Sequence, residues 1–128
     1  MRLLLDSNVF LWSGSTPNRI STLARVALAD PNNELLLSSV SPWEAGIKIA
    51  TGRLVLPSAL PDFTRNVLSD LKLVELPVSI AHALKSAELP LIHGDPFDRI
   101  LVAQALIEGV PIVSSDRRLS EYGVAVIW

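Results

Sequence analysis

The chain has 128 residues, a length that suits one domain with a sizeable core. Its composition, 49% hydrophobic and 19% charged, excludes a disordered protein, and the absence of cysteine excludes a disulfide framework and a thiolate metal site. The net charge of −2 argues against a nucleic-acid partner at face value, unless bound cations neutralise part of the acidic complement.

Met1-Arg2-Leu3-Leu4-Leu5-Asp6 meets a charge too early for the apolar centre of a signal peptide. No apolar run approaches the roughly 18 residues that cross a bilayer, so a cytoplasmic protein without membrane contact is expected. Arg2 to Leu5 reads as a buried strand ending at Asp6. Asn8 to Trp12 reads as a helical turn and Ser13 to Asn18 as a loop. Ser21 to Asp30 suits an amphipathic helix, stopped by Pro31-Asn32-Asn33, and Leu35 to Ser38 is a second strand. Ser41-Pro42-Trp43-Glu44 opens a helix to about Thr51, with Gly52 just past its end.

Leu54 to Leu56 is extended, and Pro61 opens a helix over Asp62 to Asp70. Lys72 to Leu76 alternates as a third strand, and Ser79 to Leu89 is helical with Ala83, Leu84 and Ala87 on one side. Asp95 and Pro96 start a helix to Glu108 that Gly109 ends. Pro111 to Ser114, a short helix over Arg118 to Tyr122 and a last strand over Ala125 to Ile127 complete the chain. Short apolar strands alternating with helices, with no repeat or linker, predict a single α/β domain over residues 1–128. Its sheet is mainly parallel, of about five strands, and covered on both faces.

In such a sheet, ligands bind outside the carboxyl ends of the strands. Asp6 follows the first strand and Asp116 the fourth. The helices opening at Pro42 and Pro96 start from that same edge and bring Glu44 and Asp98 there. Each acid also has a structural reading. Ser41 and Glu44 make a capping box, Glu44 pairs with Lys48 four residues on, and Asp6 and Asp116 suit strand-ending turns. A cap is worth about 1 kcal/mol, whereas two carboxylates about 4 Å apart repel by about 4 kcal/mol at an effective dielectric of 20. Four acids on one rim therefore need a cation. With no cysteine and no histidine pair at metal spacing, oxygen ligation favours Mg²⁺ or Mn²⁺ over Zn²⁺, and such ions suit phosphodiester hydrolysis. Removing Asp6, Glu44, Asp95, Asp98 and Asp116 from the 13 acids leaves eight against 11 basic residues, so if those five cluster and hold divalent cations, the surface presented to a phosphodiester is not acidic.

Four stretches carry a resemblance: Leu4-Leu5-Asp6-Ser7-Asn8-Val9, Ser38 through Glu44 with Lys48 and Gly52-Arg53-Leu54, Leu89-Pro90 through Gln104, and Ser114-Ser115-Asp116. On these the chain resembles PIN domains, and specifically the VapC toxins of bacterial type II toxin–antitoxin systems. The resemblance implies a three-layer α/β/α PIN-like fold and a metal-dependent endoribonuclease. Asp6, Glu44, Asp98 and Asp116 are then the acidic quartet for Mg²⁺ or Mn²⁺, Asp6 and Asp98 being central. Asp95 is then the cap of the third acid's helix, and Ser114 orients a ligand water. The implied partners are RNA, a second copy of the chain, and a cognate antitoxin whose helix lies near Trp12 and Ile47 to Leu54. Ser7 stands where the family usually has threonine, and the loop from Ser13 to Ser21 lacks the family's charges.

Arg99, Arg117 and Arg118 adjoin the acids, either to hold the scissile strand or to neutralise their neighbours. His93 reads as a loop histidine bonded to backbone rather than a phosphate donor, and His82 as a helix-face residue. Trp12 and Trp43 are expected to pack near the first two helices, and Trp128 to cover the sheet. Two other readings compete: an RNA-processing nuclease that is not a toxin, and a non-catalytic metal- or protein-binding α/β module. A receiver-like module is disfavoured because Asp6 stands alone after the first strand.

Overall fold

A computed structural model describes residues 1–128. Strands β1 (Arg2–Leu5), β2 (Glu34–Ser38), β3 (Val74–Leu76), β4 (Ile112–Val113) and β5 (Val126–Ile127) form one sheet in the order β3-β2-β1-β4-β5. Every neighbouring pair is parallel. Six α-helices connect them: α1 (Ser7–Ser15), α2 (Thr22–Ala29), α3 (Val40–Ala50), α4 (Leu60–Asp70), α5 (Ile80–Glu88) and α6 (Pro96–Glu108). Short 3₁₀ turns cover Pro17–Arg19 and Arg117–Tyr122.

The central strand explains the layering. Successive side chains of a strand point to opposite faces, and Leu3, Leu4 and Leu5 are all fully buried. Leu4 packs with Leu101, Val102 and Ala105 of α6 and with Leu119, whereas Leu3 and Leu5 pack with Val9 and with Ala24 and Leu28 of α2. A third cluster joins Phe10, Leu37, Ala45, Phe63 and Val67. The sheet is thus covered on both faces, as the α/β/α expectation requires.

Several element boundaries differ from the sequence reading, each for a long-range reason. Helix α1 extends to Ser15 through residues that read as a loop. The Ser13 and Ser15 hydroxyls donate to Val9 O and Leu11 O at 2.7 Å, and Gly14 lets α4 approach. A Cβ on Gly14 would lie 2.6 Å from Phe63 and 2.7 Å from Val67. Helix α3 begins at Val40, because Ser38 Oγ accepts the Val40 N–H at 3.1 Å directly off the end of β2. Strand β3 begins only at Val74, since Lys72, at φ 52°, ends α4 in the left-handed conformation.

Helix α5 turns opposite to expectation. His82 is its buried residue, completing a capping box in which Nδ1 accepts the Ser79 N–H at 2.9 Å; its Nε2 lies 3.5 Å from Glu108. Leu84 is exposed, as are Ile80 at 80% and Leu91 at 89%. Trp128 packs on Trp12 at 5.9 Å between centroids, with the Arg19 guanidinium 4.5 Å over the Trp12 ring.

Candidate active site

All four predicted acids lie at the carboxyl rim of the sheet. Asp6 follows β1, and its carboxylate is held on both sides. Oδ1 accepts the Ser7 N–H at 2.7 Å, and Oδ2 accepts the Ser114 hydroxyl at 2.6 Å. Ser114 Oγ also accepts the Asp116 N–H at 3.0 Å, so one buried serine ties together the ends of β1 and β4. Burial pushes the Asp6 carboxyl above its usual range, with the hydrogen bonds from Ser114 and Ser7 opposing, and Glu44 and Asp116 adding to the rise.

Asp98 enters from the first turn of α6. Asp95 is the cap: its Oδ1 accepts the Phe97 N–H at 2.9 Å and the Asp98 N–H at 3.4 Å, with Pro96 opening the helix. This fixes the backbone that aims Asp98 at the rim. Burial pushes the Asp98 carboxyl up to about 7, and the charges of Asp95, Asp6, Glu44 and Asp116 add to the effect. Asp98 thus feels the charges of the other three rim acids, Asp6, Glu44 and Asp116.

Glu44 arrives differently from the sequence expectation. Because α3 starts at Val40, Ser41 lies inside the helix and caps nothing; its Oγ is 3.0 Å from Ser7 Oγ. The capping-box reading of Ser41 and Glu44 is therefore corrected. Glu44 is buried, its Oε2 pairs with Lys48 Nζ at 2.9 Å, and its Oε1 has no hydrogen-bond partner. Asp116 caps the turn after β4, accepting the Arg118 N–H at 3.0 Å and the Arg118 guanidinium at 3.0 and 2.9 Å. That guanidinium holds the Asp116 carboxyl below its usual range.

The arginines divide. Arg118 neutralises Asp116, and Arg117 is exposed beside Ser120, Val126 and Trp128. Arg99 is corrected as a phosphate contact. Its buried guanidinium donates to Pro90 O at 2.9 Å, Ser86 O at 2.9 Å and Leu89 O at 3.0 Å, locking the end of α5 to α6. Ser114 holds Asp6 and the Asp116 N–H rather than being left to a water.

Sequence reasoning undervalued His93. Its backbone N–H donates to Tyr122 Oη at 3.2 Å, and that hydroxyl donates back to His93 O at 3.3 Å. The imidazole packs edge-on against Tyr122 and turns to the rim, where Nε2, buried and without a hydrogen-bond partner, lies 4.0 Å from Asp98 Oδ2. One ligand atom each from His93, Asp98 and Asp116 falls within 4.8 Å of the others. The only sequence signal was proximity, two residues before Asp95, which does not reveal where a side chain points.

Beside the rim lies a cleft of about 450 Å³, with Glu44, Lys48 and Arg53 on one side and Asp95, Pro96 and Phe97 on the other. Trp43 is 62% exposed and stands edge-to-face with Phe97 at 5.1 Å, so the expectation that it packs away is corrected. The donor set fits a divalent cation. Asp98 and Asp116 offer ligand atoms within 4.8 Å of each other and of His93, with Asp6 and Glu44 at the same rim but outside that group. Burial makes ionisation of Asp6 and Asp98 costly, and two buried donor atoms, Glu44 Oε1 and His93 Nε2, are left unsatisfied.

Known proteins are similar to this chain in sequence and in fold. The chain is 29% identical over 120 residues to Ribonuclease VapC22 of Mycobacterium tuberculosis, covering 94% of this chain and 91% of that one. Its fold is similar to solved VapBC structures. For VapBC2 of Rickettsia felis, bound to a promoter DNA fragment, the TM-score is 0.64 at 18% identity, covering 98% of this chain and 97% of that one. For VapBC-1 of nontypeable Haemophilus influenzae the TM-score is 0.65 at 18% identity, with coverages of 98% and 96%. The sequence profile of the PIN domain matches residues 3–125, and the chain belongs to the PIN domain family.

Proposed function

We propose that this protein is a divalent-metal-dependent endoribonuclease, the toxin of a type II toxin–antitoxin pair, acting as a single PIN domain in the cytoplasm. One observation carries the reading: Asp6, Glu44, Asp98 and Asp116 come from four separate segments to one rim, where ligand atoms of Asp98, Asp116 and His93 lie within 4.8 Å of one another. Asp6, Asp98 and Asp116 would hold Mg²⁺ or Mn²⁺, with Glu44 toward a second ion or a water. The metal supplies an activated water and stabilises charge on the phosphodiester. Ser114 and Ser7 keep Asp6 in place, Asp95 and Pro96 aim Asp98, and Arg118 holds Asp116. Lys48, Arg53 and exposed Arg117 provide cations for the RNA backbone, and Trp43 provides a face for a base.

The similarity to VapC22 and to VapBC complexes supports an antitoxin partner. An apolar groove of about 530 Å³ between the ends of α3 and α4, lined by Ile49, Leu54, Leu56 and Leu60, is the surface for its helix. It takes in Ile49, Gly52 and Leu54 of the expected Ile47 to Leu54 segment, whereas Trp12 is occupied by Trp128 and Arg19. The exposed stripe of Ile80, Leu84 and Leu91 is the surface offered to a second copy. No helix is long and apolar enough to cross a membrane.

The Asp98→Asn variant tests the reading: it folds normally but loses RNA cleavage and growth arrest. Unchanged cleavage in a preparation free of host nucleases overturns it. An RNA-processing nuclease without an antitoxin is separated from the toxin by the neighbouring gene.

A further inference from the structure

We propose that His93 is a direct ligand of the metal at this rim, giving it a nitrogen donor and a preference for Mn²⁺ over Mg²⁺. The proposal rests on the metal reading above and goes beyond it, since carboxylates alone do not discriminate between the two ions. Three observations carry it. First, His93 Nε2 is inaccessible to solvent and has no hydrogen-bond partner, an unfavourable state for a buried polar atom. Second, it is not there to orient Asp98. The 4.0 Å separation from Asp98 Oδ2 is too long for a hydrogen bond, yet short enough for one ion to draw both atoms as ligands with a small side-chain movement. Third, the Nε2 position is built. Tyr122 grips the His93 backbone through both its N–H and its carbonyl and packs edge-on against the ring at 5.6 Å.

Asp116 completes the set, its ligand atom within 4.8 Å of those of His93 and Asp98. Ligation through Nε2 places the imidazole proton on Nδ1. Imidazole is a good ligand for transition metals, whereas Mg²⁺ keeps oxygen donors and its own waters.

The test uses Mn²⁺ itself as the probe. Wild-type protein loaded with Mn²⁺ shows imidazole nitrogen modulation in electron spin-echo spectra, and His93→Gln does not. The only other histidine, His82, has Nδ1 bonded to the Ser79 N–H and Nε2 beside Glu108, at the end of α6 opposite Asp98, and cannot supply the signal. In titrations of the free Mn²⁺ signal, His93→Gln lowers Mn²⁺ affinity on the order of tenfold, while Mg²⁺ affinity by competition changes by less than about twofold. A thermal melt confirms that the variant is folded, as expected when the Tyr122 contacts to the backbone remain. Mn²⁺ binding that depends on Asp98 but shows no nitrogen modulation overturns the histidine ligand alone. A wild-type protein that binds no Mn²⁺ overturns the metal reading and the histidine ligand together.

Discussion

Ser114 donates its hydroxyl hydrogen to Asp6 Oδ2 at 2.6 Å while accepting the Asp116 N–H at 3.0 Å, so residues 108 apart in the chain share one buried hydrogen-bond node. The node fixes a carboxylate that burial alone would favour protonated. Removing it leaves Asp6 with only the Ser7 N–H and leaves the Asp116 N–H without its acceptor.

Ser114→Ala is accordingly expected to cost about 1–3 kcal/mol of stability, the range for leaving buried polar partners unmet. Groups that orient metal ligands typically matter about 10- to 100-fold in affinity or activity, and a loss of that size is expected here. Chemical denaturation and RNA cleavage at saturating metal measure the two effects. An active, fully stable variant would show that Asp6 is positioned by something else.

Metal-free stability should depend on pH through Asp98. Its folded value, about 7, lies above its ordinary value of 3.8, so between these limits the unfolded chain has released a proton that the folded chain retains. Stability from this group is complete below about pH 4 and is lost as pH rises through about 7. Asp6 acts in the same direction, whereas Asp116, lowered by Arg118, loses its contribution only in stronger acid. In EDTA, the wild-type Tm is expected to fall between about pH 4 and pH 7. Asp98→Asn should flatten the fall and melt higher at the upper end, on the order of 5 °C. Parallel curves for the two proteins would show that Asp98 does not carry the effect.

Arg99→Lys separates a structural arginine from a substrate contact. Three backbone carbonyls near the end of α5 depend on one planar guanidinium, a geometry that a lysine ammonium does not reproduce. The expected result is a loss of about 2–3 kcal/mol in urea unfolding, with no change in the salt dependence of RNA binding. A stable variant with weakened RNA binding would return Arg99 to the phosphate role.

Much of this protein is legible in its residues because local and topological rules act on them directly. The apolar runs at Leu3 to Leu5, Leu35 to Leu37 and Ile112 to Val113 announce buried parallel strands, and Asp95-Pro96 announces a helix start. Parallel topology alone then sends Asp6, Glu44, Asp98 and Asp116 to one rim, whatever the details of packing.

What only the tertiary structure decided is where side chains next to these signals point, because contacts distant in sequence set them. The Val40 start of α3 depends on how the chain leaves β2, and it converts Ser41 from a cap into a partner of Ser7. The inward turn of Arg99 depends on carbonyls that α5 and the following segment present to α6. His93, two residues before the cap that organises the site, reads as an ordinary loop histidine until Tyr122, 29 residues on, holds its backbone and packs against its ring beside the acidic rim. No spacing rule connects those two residues; only the folded chain does.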